Sequence, residues 1–311
     1  MNRDYVVVLG CGLMGSGIGA ISALAGNKTL LVDTDLERAS QGVANARLNI
    51  KELFENGLAT EAAATQAQQL ISPCADFEAA IGQANFVIEA IFENLDAKKE
   101  IFKRIDALLP PEYPIASNTS GLRITEISQY TLHPERTVTT HFWFPAHLVP
   151  LVEVVMGDKT DETVAVSVRD TLKTWGKAPV IVKRDVPGQL ANRILQAIIR
   201  EAVDIVASGL ATPEDVDTAV KMGMGVRFPA WGPLEHVDAV GVDLVTSTQT
   251  NILPHISAAQ TASPFLINLL QEGNLGYKTG KGFYDWSKKD MKELSQKRNE
   301  FIIYAVKKIR N

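Results

Sequence analysis

A glycine-rich turn between two apolar segments constrains the fold of this chain more than any other feature. Residues 5–9, YVVVL, are apolar and mostly β-branched, and Gly10, Gly12 and Gly15 follow at once. An apolar run and then TLLVD, which ends at Asp33, complete a strand–turn–helix–strand pattern of about thirty residues, the length of one βαβ unit. Such a unit predicts two parallel strands with a helix on one face of the sheet.

The alternation of strands and helices continues to about residue 184, and only helical segments follow. These patterns predict an α/β fold: a doubly wound, Rossmann-type parallel sheet in residues 1–184, followed by an all-α domain in residues 185–311. Further predicted strands cover 85–90, 115–118, 137–143, 152–155 and 180–183. Predicted helices cover 36–56, 61–70, 95–109, 123–129, 189–208, 213–222, 233–249 and 263–272, with a last helix from 288 onward.

Composition excludes several classes of protein. The 311 residues exceed one comfortable core, and 46% hydrophobic with 22% charged residues is typical of a globular protein with two domains. The net charge of −5 comes without a basic cluster, so we expect no nucleic-acid partner. Two cysteines give no disulfide framework, which favours the cytoplasm.

The charge-free stretch from Val6 to Gly26 is long enough for a membrane span. It contains six glycines, too many for one stable helix, so a buried strand, turn and helix is the better interpretation. The first residues, MNRDYVVV, also lack the basic and small-residue pattern of a signal peptide. We therefore expect no membrane partner.

The turn Gly10-Cys11-Gly12-Leu13-Met14-Gly15 has the pattern G-x-G-x-x-G, which binds a dinucleotide pyrophosphate when it follows a strand and opens a helix. Gly10 permits the tight turn, Gly12 lets the backbone approach the phosphates, and Gly15 lets the helix lie close to the strand. We assign cofactor binding to Gly10, Gly12, Leu13, Met14 and Gly15, since free amides at a helix start attract anions.

Asp33 ends the second strand, where its carboxylate can accept hydrogen bonds from both hydroxyls of an adenine ribose. A 2′-phosphate at that place would meet like charge, so NAD is favoured over NADP. FAD shares this fingerprint and remains an alternative at this point.

Four polar residues form a candidate catalytic set: Ser120 in SNTSG, His141 and Glu153 in HFWFPAHLVPLVEVV, and Asn192 in DVPGQLANRIL. A histidine and a carboxylate in an apolar stretch must find partners, and together they can move protons near neutral pH. Each has a plainer interpretation alone. Ser120 is also a typical helix N-cap, His141 a satisfied core histidine, Glu153 an exposed strand residue, and Asn192 a capping amide.

The chain also resembles the L-3-hydroxyacyl-CoA dehydrogenases along nearly its whole length. The resemblance rests on segments in the family's order: GCGLMG, IFENLDAKKEIF, ASNTSGL, HFWFPAHLVPLVEVV, DVPGQLANRIL, FPAWGPLEHVDAVGVDL and GYKTGKGFYDW. It implies an NAD domain followed by a helical domain, with the substrate in the cleft between them. It also implies a homodimer held by the helical domain.

The resemblance assigns roles to the candidate residues. His141 is expected to act as the general base on the substrate's 3-hydroxyl and Glu153 to orient it, while Ser120 and Asn192 bind the reacting oxygen. Asp33, Glu93, Lys98, Asn118 and Lys278 are expected to contact NAD. Without the family pattern, Glu93 and Lys98 are more typical of an exposed pair near a helix start.

Two departures from the family concern the substrate. The family usually reads HFFNP where this chain has His141-Phe142-Trp143-Phe144-Pro145, so Phe144 replaces an amide. The region 40–56 offers mainly Arg47 and Lys51 to the phosphates of a coenzyme A.

The leading hypothesis is a cytoplasmic NAD-dependent L-3-hydroxyacyl-CoA dehydrogenase. The first alternative is a dehydrogenase of a free 3-hydroxy acid of the gulonate or carnitine type, in which Arg227 would bind the carboxylate. The second is a catalytically silent NAD-binding relative. The scattered His133, His147, His236 and His255 have no zinc-type spacing, so no metal is expected.

Overall fold

The computed structural model describes residues 3–310 and divides the chain into two compact units. The first extends to Leu190 and the second begins at Ala191. Asp185, placed with the second domain in the sequence prediction, is buried in the first unit. It accepts hydrogen bonds from the Arg123 guanidinium at 3.2 Å and the Thr125 amide at 2.8 Å.

The first unit contains an eight-stranded sheet in the order β3-β2-β1-β4-β5-β6-β7-β8. The strands are β1 Tyr5–Leu9, β2 Lys28–Val32, β3 Ile71–Cys74, β4 Ala84–Glu89, β5 Ile115–Ser117, β6 Thr137–Phe142, β7 Leu151–Met156 and β8 Ala178–Val182. The helices are α1 Leu13–Leu24, α2 Leu36–Glu55, α3 Glu61–Leu70, α4 Phe77–Ile81, α5 Leu95–Leu108, α6 Ile124–Ile127 and α7 Glu162–Thr174. The predicted doubly wound α/β fold is confirmed.

The sequence analysis expected a parallel sheet throughout, but the sheet is mixed. Strands β1 to β6 pair in parallel, whereas β7 runs antiparallel to β6, and β8 runs parallel to β7. The cause is the short connection formed by residues 143–150. A parallel crossover needs a dozen or more residues, so this segment can only reverse the chain.

Three elements of the first unit were missed by the sequence analysis: β3, α4 and α7. Strand β3, ISPC, carries a serine and a proline and lies at the edge of the sheet. An edge strand tolerates proline because one side of its backbone needs no partner strand. A short strand of this composition has no alternating apolar pattern to reveal it.

The core of the first unit lies on both faces of the sheet. Val7 and Val87 of the central strands are fully buried, and Phe102 and Ile105 of α5 pack against the same cluster. Ile18 of α1 is also fully buried. This burial on both faces explains why the central strands are almost wholly apolar.

A buried ion pair holds the carboxyl end of α5. Arg136 and Asp106 are almost completely inaccessible, and Arg136 Nη2 lies 2.7 Å from Asp106 Oδ1. The same guanidinium donates to the carbonyl oxygens of Leu109, at 2.7 Å, and Tyr113, at 3.1 Å. It thereby satisfies carbonyls that lack partners at the end of a helix.

Two side chains fix the connection between β6 and β7. The ammonium of buried Lys177 donates to the carbonyl oxygens of Ala146 and Val149. The ring Nε2 of His147 lies 2.8 Å from Glu52 Oε2 on α2. The connection between β6 and β7 is therefore fixed by one residue on α2 and by another just before β8.

The second unit is helical, as predicted. Its helices are α8 Leu190–Ala207, α9 Pro213–Ala219, α10 Pro233–Val240, α11 Val242–Ile252, α12 Pro264–Gln271 and α13 Met291–Arg310, with a π-helical turn at Val220–Gly225. Helices α9 to α12 contain no buried residue.

The substitution His147→Gln tests the link to α2. Burial lowers the pKa of His147, and the hydrogen bond that the imidazole donates to Glu52 offsets only part of this effect. The unfolded chain therefore binds this proton first as the pH falls. The free energy of unfolding therefore keeps its full value above the ordinary histidine pKa of about 6.5 and falls as the pH drops below it. Between about pH 7.5 and pH 5, urea unfolding of H147Q should show a smaller loss of stability than wild type; equal losses would contradict this.

Candidate active site

The glycine-rich turn joins β1 to α1 under tight steric limits. Gly10 has φ +93°, and a Cβ there would lie 2.6 Å from the carbonyl oxygen of Ala90. A Cβ at Gly15 would lie 1.8 Å from the oxygen of Gly10. Gly12 differs, because nothing lies within 4 Å of a Cβ at that position.

The start of α1 is arranged to receive an anion. Gly12 is its N-cap and provides no side-chain hydrogen bond to the helix amides. Leu13 and Met14 form the first helical positions. The open space at Gly12 and the positive end of the helix dipole fit the pyrophosphate of a dinucleotide.

Asp33 lies just beyond β2, beside this turn. Its carboxylate accepts hydrogen bonds from the amides of Cys11, at 2.9 Å, and Thr34, at 2.8 Å. Partial burial acts to raise the pKa of Asp33, but these hydrogen bonds outweigh it and the pKa is lowered. The carboxylate therefore stays charged, which suits ribose hydroxyls and disfavours a 2′-phosphate.

The thiol of Cys11 is unreactive by the same geometry. Burial and the nearby Asp33 charge raise its pKa to about 12. A protonated, buried thiol is a small apolar side chain rather than a nucleophile.

A buried carboxylate at the end of β4 organises the neighbouring edge of the sheet. Glu89 is fully buried and accepts hydrogen bonds from the Ile91 amide at 2.7 Å, the Lys98 ammonium at 2.6 Å and the Ser117 hydroxyl at 2.6 Å. Lys98 is only 1% exposed, so the interpretation of Glu93 and Lys98 as an exposed pair is wrong for Lys98.

Glu93 continues this network towards Ser120. It lies 3.4 Å from the Lys98 ammonium and accepts hydrogen bonds from the Thr119 hydroxyl and from the amides of Ser120, at 3.1 Å, and Gly121, at 3.2 Å. Burial acts to raise the pKa of Glu93, but the Thr119 hydrogen bond and the Lys98 charge lower it overall. The loop that carries Ser120 is thus fixed by a charged carboxylate.

His141 and Glu153 form a buried pair across the antiparallel strands β6 and β7. They are register partners, and His141 Nδ1 lies 2.7 Å from Glu153 Oε2. Directly opposite residues of antiparallel strands project to the same face of the sheet. Because a carboxylate only accepts, Nδ1 carries the proton and Nε2 keeps its lone pair. In the described part of the chain, Nε2 has no hydrogen-bond partner, so this arrangement can act as a base.

The remaining predicted residues fall into both units. Asn118 Oδ1 accepts from the amide of Phe142, the neighbour of His141, at 2.9 Å. Ser120 is exposed and does not cap α6, whose N-cap is Arg123. In the second unit, Asn192 lies in the first turn of α8, and exposed Lys278 lies in the turn after Gly276.

Sequence reasoning missed Glu89, Ser117, Thr119 and Trp143. Trp143 Nε1 donates to Glu153 Oε2 at 3.1 Å. For Glu89 a signal was present, since a charged residue closing the apolar strand FVIE needs a partner. The other three were recognisable only from the hydrogen bonds that they form once the chain is folded.

Residues 3–310, which the structure describes, lack two features of other classes of protein. They contain no group of three or more histidine, cysteine, aspartate or glutamate residues arranged to hold a metal ion. Within the same range, no helix combines the length and apolarity needed to cross a membrane.

This fold and this cofactor turn define an NAD-dependent dehydrogenase. Residues 5–186 match the model of the 3-hydroxyacyl-CoA dehydrogenase NAD-binding domain, and residues 188–286 match the model of the C-terminal domain of the same enzymes. The chain belongs to the 3-hydroxyacyl-CoA dehydrogenase family, whose members are oxidoreductases acting on CH–OH groups.

Two curated relatives differ in the substrate that their names give. The 5-formyl-3-hydroxy-2-methylpyridine 4-carboxylate 5-dehydrogenase of Mesorhizobium japonicum is 32% identical over 98% of this chain and 97% of its own length. A probable 3-hydroxybutyryl-CoA dehydrogenase of Bacillus subtilis is 37% identical over 93% of this chain and 99% of its own. The crystal structure of a 5-formyl-3-hydroxy-2-methylpyridine 4-carboxylic acid 5-dehydrogenase, described as an NAD+-dependent dismutase, superposes with a TM-score of 0.90. It shares 30% identity and covers 100% of this chain and 99% of its own.

Alanine at Gly15 and at Gly12 should separate folding from cofactor binding. At Gly15 the new methyl would clash with the Gly10 carbonyl, so we expect a fall in Tm of at least about 5 °C. At Gly12 the methyl meets no protein atom, so the Tm should stay near wild type while NAD affinity falls about tenfold or more. Thermal unfolding and NADH fluorescence titration measure the two effects. Wild-type NAD affinity in G12A would contradict the assignment of this turn.

Proposed function

We propose that this enzyme oxidises a CH–OH group to a carbonyl with His141 as the general base. NAD bound at the glycine-rich turn supplies the hydride acceptor. The observation that carries the proposal is the buried hydrogen bond of 2.7 Å between His141 Nδ1 and Glu153 Oε2. It leaves the lone pair on Nε2 to accept the hydroxyl proton of the substrate.

The residues of this chain have separate parts in the reaction. As the hydride leaves the substrate carbon, the hydroxyl proton passes to His141 Nε2, and the oxygen becomes the carbonyl oxygen. Glu153 stabilises the imidazolium that forms, as the carboxylate of a catalytic triad does. Ser120 and Asn192 are proposed to hydrogen-bond the reacting oxygen, with Glu93 fixing the backbone of Ser120.

For the substrate, we favour a small free carboxylic acid over a coenzyme A thioester. One relative, which covers 98% of this chain, and one solved structure, which covers 100% of it, are named for a pyridine carboxylate. The three cations of α2 are engaged within the chain: Arg38 lies 3.4 Å from Asp35, Arg47 donates to the Gln68 carbonyl at 3.3 Å, and Lys51 lies 3.6 Å from Glu55. This leaves few charges there for the phosphates of coenzyme A.

A free carboxylate needs a cation, and Arg227 is the candidate. Its guanidinium lies over the Trp231 ring, 5.8 Å from the centroid, and 3.4 Å from His236 Nδ1. Stacking on an aromatic ring leaves the planar edge of the guanidinium available for two parallel hydrogen bonds.

A 3-hydroxyacyl-CoA is the second candidate substrate. It is favoured by the family itself and by the 37% identity to the Bacillus subtilis relative, which is named for 3-hydroxybutyryl-CoA. The same base and the same hydride transfer apply to both substrates.

One substrate panel distinguishes the candidates. NADH formation is followed with free 3-hydroxy acids including gulonate and carnitine, 3-hydroxybutyryl-CoA, a longer thioester, and 5-formyl-3-hydroxy-2-methylpyridine 4-carboxylate, an aldehyde whose hydrate provides the CH–OH group and whose oxidation yields a carboxylic acid. We expect turnover of a free acid, a fall in kcat of at least about 100-fold in His141→Gln, and retained NAD binding. Arg227→Gln should raise KM for the acid about tenfold. Turnover of thioesters alone would contradict the proposed free-acid substrate, and a wild-type kcat in H141Q would contradict the role of His141 as the base.

We also propose that two copies associate through the helical unit. In α10 and α12, Leu234 and Leu270 are 79% and 65% exposed. Helices α8 and α12 line an apolar cavity of about 520 Å³. Exposed apolar side chains of this kind are typical of a surface that a partner covers.

Sedimentation equilibrium should therefore give twice the 33.9 kDa mass of one chain. Leu234→Glu and Leu270→Glu together should shift the enzyme towards monomer, because burying two carboxylates in an interface is costly. Leu132→Glu is the matched control, since Leu132 is 82% exposed in the first unit. A wild-type monomer, or dissociation by the control alone, would contradict the proposal.

A further inference from the structure

We propose that Trp143 is a positioning residue, whose indole N–H fixes the oxygen of Glu153 that binds His141 and thereby sets the pH range of the base. This inference rests on the role proposed above for His141. It concerns a residue that lies one position beyond β6.

The three side chains form a single group. Trp143 Nε1 lies 3.1 Å from Glu153 Oε2, and His141 Nδ1 lies 2.7 Å from the same oxygen. His141 and Trp143 are two positions apart, so their side chains project to the same face. Their rings are 5.7 Å apart at a tilt of 56°. The indole therefore contacts both members of the pair.

The indole N–H has a predictable effect on the carboxylate. Glu153 is completely buried, and a buried anion needs hydrogen-bond donors to stay charged. A second donor on Oε2 stabilises the carboxylate and reduces the negative charge that it offers to the imidazole. Protonated His141 is then stabilised less, so the free base persists to lower pH.

The indole also suits a fixed role. It donates only, and it does not change its protonation within the working range of an enzyme. Beside Glu153, the titratable group on β6 is His141, and the residue in register on β8 is the apolar Val180. The indole is thus a donor whose hydrogen bond to Glu153 does not depend on pH.

Trp143→Phe removes the N–H and keeps an aromatic ring. The family's usual HFFNP segment has phenylalanine at this place, so the variant should fold. We expect the acid limb of the kcat/KM profile to move up by about 0.5 to 1 pH unit. Activity should fall roughly three- to tenfold on that limb and little on the alkaline side. A uniform loss at every pH, or an unmoved limb, would overturn the proposal.

Two further variants isolate the N–H. Trp175→Phe is the matched control, since Trp175 is buried against Phe86 with ring centroids 6.1 Å apart. It should leave the pH profile in place. In a Glu153→Gln background, Trp143→Phe should cause little further shift, because the carboxylate on which it acts is gone. A full shift in that background would contradict the proposed route.

Tryptophan fluorescence tests the geometry without any substrate. A protonated imidazole quenches a neighbouring indole, so wild type should show a pH-dependent step in emission that both Trp143→Phe and His141→Gln reduce. The step from Trp231, 5.4 Å from His236, should remain in each. If the pH-dependent step in emission were unchanged in H141Q, the contact between Trp143 and His141 would be contradicted. This conclusion would hold even if Trp143→Phe failed to fold. If no substrate is turned over, the reaction proposed above fails, while this measurement still judges the role of Trp143.

Discussion

The reversal of chain direction between β6 and β7 is the constraint on which the active site depends. Because the two strands are antiparallel and in register, His141 and Glu153 lie directly opposite each other. The pair is therefore built into the hydrogen-bond ladder of the sheet. Backbone pairing with β7 holds His141, and pairing with both β6 and β8 holds Glu153. Precision of this kind is what a base needs to meet a substrate proton repeatedly in one geometry.

Buried charge organises the rest of the first unit's site. Glu89 lies at the end of β4, where it joins Lys98 of α5 to Ser117 of β5. Through Lys98 and Glu93 the same network reaches the backbone of Ser120. Such a network costs desolvation, and every member must be hydrogen-bonded for it to be tolerated. In return it fixes loops beside the cofactor turn that apolar packing alone would leave free.

The sequence predicted those parts of the molecule that depend on local signals. The strand, the glycine turn, α1 and Asp33 follow one another along the chain, and the same holds for most helices. The direction of β7 was missed because it depends on the length of a connection rather than on its residues. Trp143 was missed because its partner, Glu153, becomes a neighbour only through strand register. His141 and Glu153 were found because charge in an apolar stretch is unusual, although no sequence pattern gave their alignment.

The connection formed by residues 143–150 also limits how this enzyme can evolve. A change of length there that slipped the pairing of β6 and β7 by one residue would turn Glu153 to the opposite face of the sheet. Selection should therefore constrain its length more strictly than the identity of its residues. Lys177 fits this expectation, because it binds the connection through carbonyl oxygens, which every residue type provides. Side chains of this segment can thus change while the proposed proton-transfer pair stays in register.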